Sequence, residues 1–411
     1  MRREATDARQ SDARRETIDA SHVSRLTPPR VSCLASRAPW PRKRLEEVAD
    51  FCLGKMLDQK KNRGTPMPYL ANVDVRWGQF DLSDLREMPF EESEKERYGL
   101  RFGDIVMCEG GEPGRCAIWK DERPGMMFQK ALFRIRPHKE LLPEFLYYYF
   151  VDTGRRNAFS PYFTGSTIKH LPREKLSLVQ VPLPPLSEQR RIVGILSAYD
   201  DLIENNRKRI ALLEESARSL YKEWFVRLRF PGHERVPVED GVPKGWKRTT
   251  VGEVCEVLYG KAHADIPDGD IPIVGSGGVM RKGDKALCSE SSVLIPRKGS
   301  LGNVMLMEEP FWVVDTMFYT QMKLPNAVRW LYYSIQGMKL EERATGTAIP
   351  SMTTAILNPL PLRLPPAEVL FEFSDWTNPL FSQIKTLRRE SEKLAAVRDA
   401  LLPRLMKGGG E

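Results

Sequence analysis

Two glycine-bearing turns hold the side chains of this sequence best suited to chemistry, and the chemistry they suit is the holding of an anion. In Pro296-Arg297-Lys298-Gly299-Ser300, two cations and a hydroxyl flank a glycine, with Asn303 just beyond and Thr316 after the next apolar run. Such a turn can offer backbone N–H groups and cationic side chains to phosphate. A solvated β-turn is the competing reading. The matching turn earlier in the chain is Gly111-Glu112-Pro113-Gly114-Arg115, in which Arg115 is the cation while Glu109 and Glu112 oppose a phosphate. Two polar loops, Thr164-Gly165-Ser166-Thr167-Ile168 with Lys169 behind it, and Thr345-Gly346-Thr347, precede apolar runs. Their hydroxyls suit phosphate or base-edge contacts, and their repetition in register lends them weight. The aromatic runs Tyr147–Tyr149 and Tyr332-Tyr333 read as core helix positions in preference to base-stacking platforms.

Catalytic patterns are missing from the sequence. Gly275-Ser276-Gly277-Gly278 follows an apolar run, but no Gly-Lys-Ser/Thr follows it, and Met280-Arg281-Lys282-Gly283-Asp284 does not open an amphipathic helix. Neither a P-loop nor a dinucleotide fingerprint is therefore present, and there is no Gly-x-Ser-x-Gly elbow. The cysteines, at 33, 52, 108, 116, 255 and 288, form no Cys-x-x-Cys pair, and the five histidines show no metal-ligand spacing. Bound metal is not expected, and reduced thiols suit the cytoplasm. No apolar run approaches the roughly 18–20 residues that span a bilayer, and residues 1–39 have neither an apolar signal core nor any periodicity, reading as disordered or as an extension.

The elements that must position these turns occur twice. Thr164-Gly165-Ser166-Thr167-Ile168 leads to Pro184-Pro185 and a long heptad-patterned helix; Thr345-Gly346-Thr347-Ala348-Ile349 leads to Pro365-Pro366 and another, at a constant offset of 181 residues. A period so long makes the repeat unit a whole domain with a helix, not a solenoid turn. Mixed α/β segments are expected over 40–185 and 246–366, helices over 186–230 and 367–411, and a linker over 231–245. Strands are expected around Asp104–Met107, Ala131–Ile135, Ser292–Ile295 and Pro310–Val314, with helices at Glu144–Phe150 and around Leu331–Tyr333.

In the first long helix Ile192, Leu196, Tyr199, Ile203, Asn206, Ile210, Leu213, Ala217, Leu220 and Trp224 form a seam with alternating steps of four and three. Ser187 is its expected N-cap and Pro231-Gly232 its expected stop. The second seam runs Phe373, Thr377, Leu380, Ile384, Leu387, Ser391, Leu394, Arg398, Leu401 and Leu405, and Gly408-Gly409-Gly410 is its expected end. At ~1.5 Å per residue, about 40 residues make a rod on the order of 60 Å. Two narrow-striped helices in one chain most simply pack on each other as an antiparallel coiled coil, with the globular segments separated by it and related by a pseudo-twofold axis. Asn206 in the seam either fixes register or is a partly exposed polar position.

The formal net charge is +8, from 63 Lys+Arg against 55 Asp+Glu, and it is spread along the chain. Residues 231–366, for example, balance 15 of each sign. Charge alone does not select nucleic acid over a bland basic surface.

Three segments together resemble a known family. Pro184-Pro185-Leu186-Ser187-Glu188-Gln189-Arg190-Arg191-Ile192 resembles the PPLxEQxxI segment of specificity subunits of type I restriction–modification enzymes. Ile295-Pro296-Arg297-Lys298-Gly299-Ser300-Leu301-Gly302-Asn303-Val304, with Val314-Asp315-Thr316, resembles them as well, and so does the ending Leu401-Leu402-Pro403-Arg404-Leu405-Met406. The resemblance covers about residues 40–407. It implies two target-recognition domains, each reading half of a bipartite double-stranded DNA site across helices that set the spacing. It also implies docking of two modification subunits, which carry S-adenosylmethionine and transfer the methyl group, and of motor–nuclease restriction subunits, which use ATP and Mg. This chain itself would then be non-catalytic and bind no cofactor. Arg115, Thr164, Ser166, Thr167, Lys169, Arg297, Lys298, Ser300, Asn303, Thr316, Thr345 and Thr347 are its candidate DNA contacts. The second copy departs from the pattern at Pro365-Pro366-Ala367-Glu368-Val369, where the Glu-Gln pair is lost. A coiled-coil scaffold for proteins alone is the alternative.

Overall fold

Apolar runs bounded by glycine turns become the buried central strands on which both candidate turns stand. The structure, a computed structural model, describes residues 39–58, 60–343 and 351–407. Residues 1–38, the Thr345 and Thr347 candidates and Gly408–Gly410 lie outside the described residues. The chain divides into two compact units, one ending at Val193 and completed by the segment from Leu401, the other Gly194–Ala400.

In the first unit a four-stranded sheet has the order Ala49–Leu53, Leu132–Pro137, Ile105–Cys108, Cys116–Ile118, with every neighbouring pair antiparallel. Ile105–Cys108 is buried along its whole length, as befits an uninterrupted apolar run in a covered sheet. A three-stranded sheet sets Thr65–Leu70 antiparallel to Arg86–Phe90 and parallel to Met127–Phe128. A two-stranded pair, Arg42–Arg44 with Gln180–Pro182, brings the ends of the segment together. Leu70, Val106, Trp119, Phe128 and Leu132 are among the residues of its core. Helix α1, Pro143–Arg155, opens with proline at its first position, where the missing N–H costs nothing. Tyr148 and Tyr149 are buried in it, and the Tyr149 hydroxyl donates to Gln180 O at 2.7 Å.

The second unit repeats this topology. Its four-stranded order is Cys255–Tyr259, Met317–Met322, Ser292–Pro296, Met305–Met307. Its three-stranded sheet again pairs a central strand, Ile271–Gly275, antiparallel to one neighbour and parallel to the other. Lys247–Thr250 pairs with Pro361–Leu364 as the closing ribbon. The expected linker 231–245 holds a short hairpin, Val238–Glu239 with Val242–Pro243.

The first long helix, α2, spans Leu186–Tyr221 and continues as a π-helical turn over Lys222–Val226. It starts earlier than the Ser187 cap expected from sequence, because the Pro185 carbonyl already accepts from Glu188 N at 2.9 Å and Gln189 N at 3.1 Å. It stops before Pro231, at Leu228, which takes a positive φ of 58°. The Tyr333 side of the second unit, helix α3 (Val328–Gln336), packs on it: the Tyr221 and Tyr333 rings lie 5.3 Å apart, and the Tyr221 hydroxyl donates to Ser334 Oγ at 3.0 Å. The second long helix, α4, is Ala367–Met406.

Every residue of both expected seams is buried or half-buried. Within the second unit the two long helices touch at Asp200 with Arg398, Asn206 with Glu390 at 3.2 Å and Glu214 with Arg388 at 2.6 Å. Further along, Phe225 meets Phe373 edge-on at 4.9 Å. Residue numbers fall on one helix as they rise on the other, so the helices run antiparallel there. Asn206 is only 4% exposed, so its amide is a buried seam contact. Among the described residues no helix is long and apolar enough to cross a membrane.

Candidate nucleic-acid interface

Each candidate turn joins one inner strand of its unit's four-stranded sheet to the neighbouring edge strand. In the second unit the turn leaves Ser292–Pro296 and returns through Met305–Met307. Arg297 N and Lys298 N donate to Thr316 O at 2.9 and 3.2 Å, which places Thr316 against the two cations. Arg297 lies 5.3 Å from the Tyr259 ring centroid and donates to Asp315 O at 3.3 Å, so its guanidinium is aligned before any ligand arrives. Lys298, Ser300 and Asn303 are exposed. Asn303 Nδ2 donates to Ser276 O at 2.8 Å, joining this turn to the glycine-rich turn that precedes Gly278–Gly283. Gly299 has a φ of 82°, which favours glycine on conformational grounds, and a Cβ there would displace the Ser276 hydroxyl, whose oxygen lies 2.6 Å away. Arg297, Lys298, Ser300, Asn303 and Thr316 thus form one cluster.

The first unit builds its turn differently. Arg115 points its charge inward: it donates to Asn72 O at 3.0 Å and to Glu112 at 3.0 Å, with its side chain 17% exposed. Beneath it, burial pushes the Cys108 thiol up to about 11 despite the opposing Arg115 charge. Thr164 and His170 exchange backbone hydrogen bonds at 2.8 and 2.9 Å, closing a loop whose tip carries Ser166, Thr167 and Ile168 into solvent. Gly165, at a φ of 90°, makes that closure possible: a Cβ would fall 2.3 Å from Ile168 O. Leu171 N donates to Glu109 O at 2.8 Å, so this loop and the 111–115 turn are held side by side.

Between them lies a cleft of about 480 Å³ lined by the turn at Glu112, by Thr167 and Lys169, and by Trp77, Asn157 and Phe159. Of the sequence candidates, Thr167 and Lys169 meet in it, Thr164 and Ser166 belong to the loop that walls it, and Arg115 supports it from below. Trp77, Asn157, Phe159 and Tyr259 were not singled out by the sequence, and Ser276 stood out only as part of a glycine turn that is not a P-loop. Trp77 precedes Gly78 in a two-residue hairpin turn, and a large aromatic at a hairpin tip was the signal available. Among the described residues no group of three or more His, Cys, Asp or Glu could hold a metal ion.

One of the three segments that resemble the family, residues 184–192, provides a buried joint of the first unit. Gln189 is fully buried; its Nε2 donates to Glu140 O and Pro184 O, both at 2.9 Å, and its Oε1 accepts from Leu142 N at 2.8 Å. It fastens the start of α2 to the loop that opens α1. At the position 181 residues on, the second copy has buried Leu370. There Arg329 of α3 fastens the domain to α4 through Thr377 at 3.1 Å, Asn378 at 2.6 Å and the Phe381 ring at 4.4 Å.

Comparison with known proteins gives the same outline. A model of the type I restriction modification DNA specificity domain matches residues 38–215 and 243–383. The type I restriction enzyme MjaIX specificity subunit of Methanocaldococcus jannaschii is 24% identical over 404 residues, covering 90% of this chain and 93% of that protein. The EcoKI specificity subunit of Escherichia coli K12 is 32% identical over 158 residues, 36% of this chain and 34% of the other. The crystal structure of the S subunit from M. genitalium is similar in fold, with a TM-score of 0.53 at 16% identity, covering 91% of this chain and 98% of that one.

Proposed function

Since this chain belongs to the type I restriction–modification DNA specificity family, we propose that its two copies of one fold each read one half of a bipartite double-stranded DNA site. The observation that carries this reading is that sheet order and strand sense recur in both units while the exposed turns differ. One turn is cationic, around Arg297 and Lys298; the other is an aromatic cleft with Glu112 and Lys169. Like frames with unlike turns suit a site whose halves differ in sequence. Arg297, Lys298 and the hydroxyls of Thr164, Ser166, Thr167, Ser300 and Thr316 supply donors for phosphate or base edges, as Thr345 and Thr347 do by their residue type.

The long helices act as an antiparallel coiled coil about a pseudo-twofold axis, and this sets the spacing between half-sites. They also dock two modification subunits, with restriction subunits joining that core. Methyl transfer from S-adenosylmethionine belongs to the modification subunits, and ATP- and Mg-dependent translocation and cleavage to the restriction subunits. This chain contributes recognition, in the cytoplasm.

Gel-shift titration of the assembled complex tests this against a scaffold that binds proteins only. The expected result is a sequence-selective shift that weakens with salt. Absence of any DNA shift from a complex that has assembled favours the scaffold.

A further inference from the structure

Resting on the reading that each unit recognises one half-site, the cleft of the first unit also suggests which base pair it selects. Glu112 is held at both oxygens: Oε1 accepts from Trp77 Nε1 at 2.6 Å and Oε2 from Arg115 Nη1 at 3.0 Å. Arg115 is anchored in turn to Asn72, whose Nδ2 donates to Gly110 O at 2.8 Å. Gly111 and Gly114, at φ of 73° and 92°, would place a Cβ 2.8 Å from Asn72 Nδ2 and 2.9 Å from the Phe159 ring, so the turn is fixed on both sides of Glu112. Yet the Glu112 side chain is 54% exposed. Each carboxylate oxygen has two acceptor positions and uses one, leaving one for a ligand. Lys169 and Thr167, on the adjoining loop, line the same cleft.

A fixed, exposed carboxylate repels phosphate, so this turn is no backbone contact. An ionised carboxylate only accepts hydrogen bonds. In the major groove, cytosine presents its N4 amine as a donor with no acceptor of its own beside it. Adenine sets the N7 acceptor next to its amine, and guanine and thymine present carbonyl oxygens. The ammonium of Lys169 is the complementary partner for guanine O6 and N7. We propose that Glu112 and Lys169 together read one C·G base pair of the first unit's half-site. Glu112 accepts from cytosine N4, Lys169 donates to the paired guanine, and Trp77 and Arg115 are positioning residues.

The test binds the complex of full-length chain and modification subunits to a duplex library randomised across both half-sites, and sequences the bound fraction. The wild-type complex examines the half-site reading by itself: failure to enrich a bipartite motif overturns that reading and this inference with it. With a bipartite motif in hand, an obligatory C·G pair is expected in one half. Glu112→Gln should reduce the preference for that pair about tenfold or more, a loss of the size that single mismatched pairs produce, and leave the other half-site's motif intact. Trp77→Phe keeps an aromatic ring, a smaller one, but loses the N–H, and should relax the same pair by a smaller factor. A Glu112→Gln motif identical to wild type, or a change confined to the other half-site, overturns the assignment. If Glu112→Gln fails to assemble, Trp77→Phe decides: relaxation at the C·G pair supports the proposal, and an unaltered motif overturns it.

Discussion

Replacing Gln189 with leucine should destabilise the first unit by about 3 kcal/mol. The two side chains are similar in size, so little cavity is created and the loss is polar. Three backbone groups lose their partners: Leu142 N–H at 2.8 Å, Glu140 C=O at 2.9 Å and Pro184 C=O at 2.9 Å. A hydrogen bond contributes roughly 1 kcal/mol net, and a buried group left unsatisfied costs roughly 1–3 kcal/mol. Glu140 and Leu142 are half-buried, so water recovers part of the loss at those two and the lower end applies. About 3 kcal/mol is still a large fraction of the roughly 5–15 kcal/mol that holds a domain together. Urea unfolding of the full chain, followed by hydrogen exchange of peptides from the buried strand Ile105–Cys108, reads the first unit separately from the second. A stability change below about 1 kcal/mol would refute the assignment of Gln189 as the fastener between α1 and α2. The second copy offers an internal control. Leu370→Gln should not stabilise, since Arg329 already makes the corresponding attachment.

Asn206→Leu should raise the stability of the helix pair by about 1 kcal/mol, because an apolar seam residue replaces a polar one; a lower urea midpoint would contradict the buried placement of Asn206 beside Glu390. Replacing Arg297 and Lys298 together should lower the slope of log K against log salt by about 2 in gel-shift titrations, if each neutralises one phosphate; an unchanged slope removes them from the contacts. Burial raises the carboxyl pKa of Glu94, but the hydrogen bonds from Lys55 Nζ at 2.5 Å and Glu91 N at 2.9 Å, with the Lys55 and Arg97 charges, together outweigh it, and the folded value lies below the usual one of 4.5. The stability this contributes is present above that usual value and is lost as pH falls through the lowered one. Glu94→Gln should therefore flatten that part of the acid limb in unfolding midpoints measured between pH 3 and pH 6, roughly the window around the carboxylate range, and an unchanged limb would exclude the pair as a source of it.

The frame of this protein was legible in its sequence because it is written in periodicity. The steps of four and three from Ile192 to Trp224 and from Phe373 to Leu405 mark positions that are all buried or half-buried. The aromatic helices 143–155 and 328–336 were recognisable as core for the same reason. End effects were less legible: Ser187 has a capping side chain, but the ladder begins from the Pro185 carbonyl. The cluster around Arg297 was readable because its members are close in sequence. The cleft of the first unit was not, because Trp77, Glu112, Asn157 and Lys169 come from four separated loops and meet only when the sheets are assembled. Arg115 shows the limit of residue type as a guide. A cation in a glycine turn was a candidate for phosphate, and its burial against Asn72 and Glu112 makes it a support instead.

The most direct measurement of the central claim is single-molecule methylome sequencing of cells expressing this chain with its modification subunits, compared with cells lacking the chain. The account predicts methylation that depends on the chain, at a split motif whose two unlike halves flank a run of unread bases. Methylation at one contiguous motif, or none from a complex that has assembled, would contradict it.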